Sequence, residues 1–455
     1  NSKIPVKSYS YIERKAVNSL YGNATIAYKN AVYLDITGRN DWSSTLPENN
    51  NSYFYPSVSL SSVFTDLLKM ESKTLSYAKA RISWAQVGSD TDPYSLLPAL
   101  SLGDGWNAST VYKNQFVPNI LPNADLKPQK VNSIEGGVEL KFFMNRVSLD
   151  MAYYNTKTTN QIISIPVSAA SGYLAKNINA GRIDNSGLEI SLGLVPFESK
   201  DGFNWNMYIN FSNNKNQVVE LAEGVEQYEL GTYWDLKIMA IPGEPFGALY
   251  GADFARDPNG NIIHKDGVPL VGDKKVLGNY QPDFTGGINN EFSFKKITAS
   301  FLVDLHKGGD IYCMTNAWGR YAGALEESLI GREGGIVGVG VKDDGNGNWV
   351  TNDVVVTAEE YNHAAFANSI PAGSIFDASY IKLREVKLGY TIYKIAGYKF
   401  KGIDISVVGR NLAILFSRIP HVDPETSFNN SNVQGIEFGQ IPSARSIGFN
   451  VSVKL

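Results

Sequence analysis

The chain has 455 residues, with 41 Lys+Arg against 45 Asp+Glu and a formal net charge of −4, so it lacks the basic surface that holds nucleic acid. Its 7 Trp, 25 Tyr and 21 Phe exclude a solvated disordered coil, and charged residues make up only 19%. Unbroken apolar runs such as Leu412 to Phe416 reach about 5 residues, where a membrane-spanning helix needs about 20.

In chain order, the dominant pattern is period-two alternation, the mark of strands with two unlike faces. Val32, Leu34 and Ile36 alternate after a tight turn at Lys29-Asn30. Val147, Leu149, Met151 and Tyr153 face away from Ser148, Asp150 and Ala152, after a second turn at Met144-Asn145. Leu188, Ile190, Leu192 and Leu194 repeat the pattern. Trp205, Met207, Ile209 and Phe211 oppose Asn206, Tyr208 and Asn210. Ile297, Ala299, Phe301, Val303 and Leu305 oppose Thr298, Ser300, Asp304 and His306. The last alternating run is Ile447, Phe449, Val451, Val453 and Leu455.

A soluble sandwich also alternates, but its strands usually run to about 5 to 6 residues. Segments of about 10 residues, many ending in aromatics, fit tilted strands crossing a bilayer between aromatic girdles. The connections alternate in length as well. Tight turns at one end contrast with long polar, Gly-rich stretches at Asp90 to Lys130, Ile163 to Asn185, Ala222 to Asn279 and Gly309 to Phe376. Short turns at one end and long loops at the other describe an outer-membrane barrel with short periplasmic turns and long extracellular loops. The reading is therefore all-β, a transmembrane antiparallel barrel of about 14 strands.

Enzyme chemistry finds little support. His264, His306, His363 and His421 stand at no metal-ligand spacing, and neither a G-x-S-x-G elbow nor a P-loop occurs. Asp90/Asp92 and Glu326/Glu327 read as surface acids, and the one cysteine, Cys313, as a small apolar residue. Asp257 to Asn261 and Asp343 to Asn348 are rich in oxygen donors, but neither fits an EF-hand, and Asn-Gly and Asp-Gly favour turns. No catalytic, cofactor or metal site is expected. The better candidates for ligand contact are loop aromatics, Trp106, Tyr112, Trp318, Tyr321 and Trp349, whose ring faces stack on sugars or apolar side chains; packing between loops is the competing explanation.

Several segments carry a family likeness. They are Tyr53-Phe54-Tyr55-Pro56-Ser57-Val58-Ser59-Leu60, Lys79 to Gly88, Leu126-Lys127-Pro128 with Glu135 to Leu140, and Asn179-Ala180-Gly181 with Asn185 to Glu189. Further on stand Pro242-Gly243-Glu244-Pro245-Phe246-Gly247, Leu277-Gly278-Asn279 with Pro282 to Gly287, and Gly308 to Tyr312. Asp377 to Glu385, Gly409-Arg410-Asn411-Leu412 and Pro442 to Ser446 complete the series. In this order the chain resembles, end to end, the C-terminal part of a SusC/RagA-like TonB-dependent outer-membrane transporter of Bacteroidetes type.

The resemblance implies a bacterial outer-membrane, 22-stranded barrel closed by a plug and driven through the TonB complex. It also implies a SusD-like surface lipoprotein over the mouth, and dimers of the transporter–lipoprotein pair. Cargo would be oligosaccharides or oligopeptides, with no cofactor and no enzymatic step. Residues 1–455 then correspond to the C-terminal barrel part, with the plug and the N-terminal strands outside this chain. Leu455 stands where such barrels commonly carry an aromatic. The rival expectation is a secreted or surface-bound β-rich glycan-binding or adhesin module without transport.

Overall fold

The computed structural model describes residues 12–96, 101–103, 114–116, 120–367, 369–393, 402–426, 428–429 and 431–454. The strands of the main sheet are β1 (Val17–Tyr28), β2 (Val32–Ser43), β3 (Ser52–Val63), β4 (Leu75–Ser89), β5 (Gln129–Phe142), β6 (Val147–Pro166) and β7 (Ala175–Phe197). They continue as β8 (Phe203–Glu220), β9 (Phe284–Phe294), β10 (Ile297–Lys307), β11 (Tyr380–Tyr393), β12 (Gly402–Ser417) and β13 (Ser446–Lys454). Together with the short strand Ile120–Leu121 they make a 14-stranded sheet in which β1 to β13 follow one another in sequence order. Every pairing along that path is antiparallel, and the outer edges of β1 and β13 meet no strand among the described residues.

Register confirms that the alternating faces line up. Leu140, Leu149, Leu192, Ile209, Ile288 and Val303 are successive partners across β5 to β10. Ile26, Leu34, Leu60 and Ile82 do the same across β1 to β4. A one-residue slip in any strand would turn its apolar set onto the other face. On that other face Asp150, Ser191, Asn210, Gly287, Asp304 and Lys382 form a polar row. An apolar band continuous over so many strands, with its large side chains unburied by protein, suits a hydrocarbon solvent.

At the short-turn end the apolar face carries a run of rings. Phe197 stacks on Trp205 at 6.2 Å, Trp205 on Phe292 at 5.8 Å, and Phe292 meets Phe301 at 6.0 Å. Asn290 falls on this apolar face and is buried; Trp205 Nε1 donates to its side-chain oxygen at 3.0 Å, satisfying both groups. The turns beneath use left-handed residues, Lys29 and Asn30 at φ 51° and 50° and Asn145 at φ 69°, matching the expected turns.

The opposite end carries residues 90–128, 221–283, 308–379 and 418–445. The stretch from Ile163 to Asn185 is not a long loop. β6 runs for 20 residues and β7 for 23, and they pair from Ala175↔Pro166 down to Leu194↔Val147, with a short turn between. About 9 to 11 residues suffice to cross a bilayer, so the upper parts of these strands stand clear of it. There both faces meet polar surroundings, and the alternation that marks the lower strand disappears. Asn179 shows how backbone and amide bonding replaces it: its side chain donates to Lys127 O at 2.6 Å and accepts from Lys127 N at 2.6 Å.

The connections 221–283, 308–379 and 418–445 are not loose either. Residues 221–283 contain a four-stranded sheet, Tyr228–Tyr233, Leu236–Ala240, Ala248–Phe254 and Val271–Asn279. Residues 308–379 and 418–445 share a three-stranded sheet made from Ile375–Asp377, Asp310–Cys313 and Ile436–Glu437. A dry core joins all three connections: Leu236, Ile238 and Leu249 from the first, Tyr312, Met314 and Ala317 from the second, and Ile436 from the third. The long ends of the sheet thus carry a packed cap.

Candidate functional site

The cap is fastened to the sheet wall by charge. Lys382 and Arg384 both reach Glu425 from β11, Arg384 from a bulge where the register shifts against both neighbouring strands. Lys382, only 2% exposed, donates to Asp423 at 2.8 Å, Glu425 at 2.5 Å and Ser443 at 3.3 Å. Arg384 donates to both Glu425 oxygens, at 2.7 and 2.5 Å, and also to Asp304 on β10. Burial alone would raise the Asp423 carboxyl, but the Lys382 ammonium and Ser443 hold it down at about 2. The cluster holds residues 418–445 against the inner wall at the mouth.

Where the connections leave the sheet, the family-like segments converge. Ser379 Oγ accepts from Gly308 N at 2.9 Å, and Asp310 accepts from Asn279 N at 3.0 Å. A Cβ on Gly278 would run into the Asp310 side chain, so a larger residue there would push that carboxylate aside. Burial pushes the Asp310 carboxyl up, and the Asp377 and Asp283 charges add to it. The Pro242 to Gly247 segment is tied to β8: Gly243 N donates to Val218 O at 2.8 Å, and Phe246 N donates to the Asn216 side chain at 2.8 Å.

Between these upper strands and the four-stranded sheet lies a cavity of about 450 Å³ lined by Gln161, Arg182, Asn185, Asn216, Tyr228, Phe246 and Asn432, among others. Arg182 is oriented by Asp184 at 2.7 and 2.5 Å, and Asn185 accepts from Asn216 at 2.7 Å. Fixed amide and guanidinium groups beside two rings can hydrogen-bond a polar ligand while stacking against it.

The sequence-predicted aromatics are distributed unevenly. Trp106 and Tyr112 lie outside the described residues. Trp318 and Tyr321 share the helix Met314–Tyr321 and are about half exposed. Trp318 joins Trp234 at 5.5 Å, which stacks on Phe438 at 5.4 Å, and Phe438 meets Phe428 at 5.5 Å. Tyr321 instead stacks on His363 at 4.0 Å. Trp349 stands on a separate hairpin, paired with Asp343. Sequence reading missed Trp234, Phe428 and Phe438, whose clustering depends on contacts between distant connections. It also missed the Lys382 cluster, for which the one local hint was two cations at i, i+2.

Other singled-out groups are structural. Asp90 is not solvated: Lys15 Nζ bonds it at 2.6 Å, and Ser43 donates to it as well. Glu327 accepts from His421 at 2.8 Å. Asp257 and Asp344 each cap their own turn, accepting from the Asn261 and Asn348 backbones at 2.8 and 3.1 Å. Cys313 is fully buried, and burial, with the Glu437 carboxylate adding, pushes its thiol up to about 12. Among the described residues no three His, Cys, Asp or Glu side chains gather to hold a metal.

A wall of long antiparallel strands, apolar on one face and polar on the other, with turns at one end and a structured cap at the other, defines an outer-membrane β-barrel. The model for TonB dependent receptor-like β-barrels matches residues 1–306, and the chain belongs to that family. It is 24% identical over 490 residues to TonB-dependent receptor P3 of Formosa agariphila, covering 99% of this chain and 47% of the relative. It is 21% identical over 472 residues to TonB-dependent receptor SusC of Bacteroides thetaiotaomicron, covering 98% and 44%. The chain thus spans less than half the length of these curated relatives. The structure of the RagAB peptide transporter superposes with a TM-score of 0.73 at 19% identity, over 96% of this chain and 47% of that one, a likeness of fold.

Proposed function

We propose that this chain forms the C-terminal part of a larger barrel that imports oligosaccharides or oligopeptides across the outer membrane in a TonB-dependent manner. On this reading strands contributed elsewhere pair with the free edges of β1 and β13, and a plug fills the polar lumen. A SusD-like lipoprotein covers the cap, and two such pairs associate. Trp318, Tyr321 and Trp349, with Trp106 and Tyr112, are the proposed ligand-contacting rings, joined by Trp234 and Phe438. The reading is supported by a polar inner row from Asp150 to Lys382 under a packed cap, with a cavity between upper strands and cap where Arg182, Asn185 and Asn216 stand beside Ile162, Ile163 and Leu230. RagAB is a peptide transporter, which keeps peptides beside glycans as cargo.

The test is uptake of labelled oligosaccharides and oligopeptides by cells carrying the protein, with and without functional TonB, together with purification in detergent. Import that vanishes without TonB, and a surface lipoprotein that copurifies, are expected. TonB-independent binding without entry would favour a passive glycan-binding or adhesin role instead.

A further inference from the structure

A second cavity, of about 540 Å³, lies in the cap between the helix Met314–Tyr321, the turn Glu326–Leu329 and the helix Ala358–Ala365. Its chemistry differs from that of the mouth cavity. Arg320 lays its guanidinium on the Phe366 ring at 4.2 Å, and its Nε is buried with no hydrogen-bond partner. Among the described residues the Arg320 side chain donates no hydrogen bond and forms no ion pair. Glu327, whose charge acts on Arg320, has one oxygen bonded to His421 at 2.8 Å and the other buried without a partner. Stacking fixes a guanidinium plane while leaving its N–H edge free, the arrangement that suits a planar, doubly accepting anion.

Arg332 is held in place by its own bonds, Nε to Ser328 O at 3.1 Å and Nη2 to Gly323 O at 2.5 Å. Its Nη1 has no partner among the described residues. The Tyr321 and His363 rings, which both line the cavity, stack face to face, 4.0 Å apart and 11° from parallel, so the pair offers an outer ring face and its edges. No branched aliphatic side chain lines it, so an apolar peptide side chain has no pocket there. Two acids oppose an anion here, Glu327 beside Arg320 and the exposed Glu359 at the rim.

We propose that this cavity binds an acidic oligosaccharide, with a sugar carboxylate on Arg320 and Arg332 and a pyranose face against the outer face of the Tyr321–His363 stack. The import reading is needed only for where the ligand goes next; binding itself does not depend on transport.

The test is calorimetric titration of the full-length protein in detergent with trigalacturonate, trigalactose and an acidic peptide. Trigalacturonate is expected to bind at least about tenfold more tightly than trigalactose and to weaken as salt is raised. R320Q and R332Q should each lose about tenfold or more for the acid, while Y321A should weaken both sugars. Heat-shifted gel migration reports that each variant is folded; if R320Q does not fold, R332Q and the salt series decide. Equal affinity for trigalactose, affinity unchanged in folded R332Q, or binding of the acidic peptide alone would overturn the proposal. Uptake that fails while trigalacturonate still binds counts against import; uptake that continues without this binding counts against the site alone.

Discussion

Replacing Lys382 with methionine tests the fastening of the cap most directly, because it keeps most of the unbranched stem and removes the charged nitrogen. In the native chain the ammonium contacts Asp423 at 2.8 Å, Glu425 at 2.5 Å and Ser443 at 3.3 Å. Breaking one side of a buried ion pair costs about 3–5 kcal/mol, because the remaining charge stays desolvated. Here the partners are not wholly abandoned. Glu425 keeps Arg384 at 2.5 Å, and Asp423 keeps Ser443 N at 3.0 Å and Glu425 N at 3.1 Å. The cost therefore falls near the low end, about 3 kcal/mol, or roughly a 100-fold rise in local opening. Hydrogen exchange measures that opening at amides whose bonds depend on the cap, such as Phe428 N to Ile436 O and Tyr312 N to Gly435 O. They should exchange about 100-fold faster in K382M, while the β12–β13 ladder from Gly402↔Lys454 to Arg410↔Ser446 is unchanged. Unchanged exchange in residues 418–445 would refute the fastening role, and so would uniform acceleration over the whole sheet.

The same cluster predicts a pH response. Asp423 is held at about 2, below its ordinary value of 3.8, so its stabilisation is complete above pH 3.8 and fades as pH falls through about 2. After screening this is about 1–2 kcal/mol, readable as faster proteolysis of residues 418–445 near pH 2.5 in the native chain but little further change in K382M. Cys313, buried with its thiol pushed up to about 12, should resist maleimide at pH 8 in the folded protein and react once denatured. On the wall, I82K places a charge in the apolar band and should cost about 2–4 kcal/mol of folding into bilayers, whereas S83K on the polar face should fold nearly as the native chain does. Heat-shifted gel migration after refolding into vesicles separates the two, and equal yields would contradict the assignment of faces.

Much of the wall was legible in the residues. The Val147 to Tyr153 and Trp205 to Phe211 alternations landed on paired strands in register, because one face meets lipid and the other a polar interior. The upper halves of β6 and β7 were not legible. Above the membrane neither face needs apolar side chains, and pairing there rests on the backbone and on amides such as Asn179. The cap was hidden for a different reason. Leu236, Ile238 and Leu249 are short apolar runs among glycines, and their partners, Tyr312 and Ile436, lie far along the chain. Lys382 and Asp423 are 41 residues apart, a separation that no periodicity reports.

Because one core draws on residues 221–283, 308–379 and 418–445, those connections form a single unit of exchange. A segment of the cap transplanted alone from a relative would bring half of a buried contact and leave a cavity or a clash where Leu249 meets Tyr312 or Ile436. Diversification of this mouth is therefore concerted: loops remote in sequence must change together and keep their ties to the rim at Lys382, Arg384 and Asn216, while the wall below that rim can stay as it is.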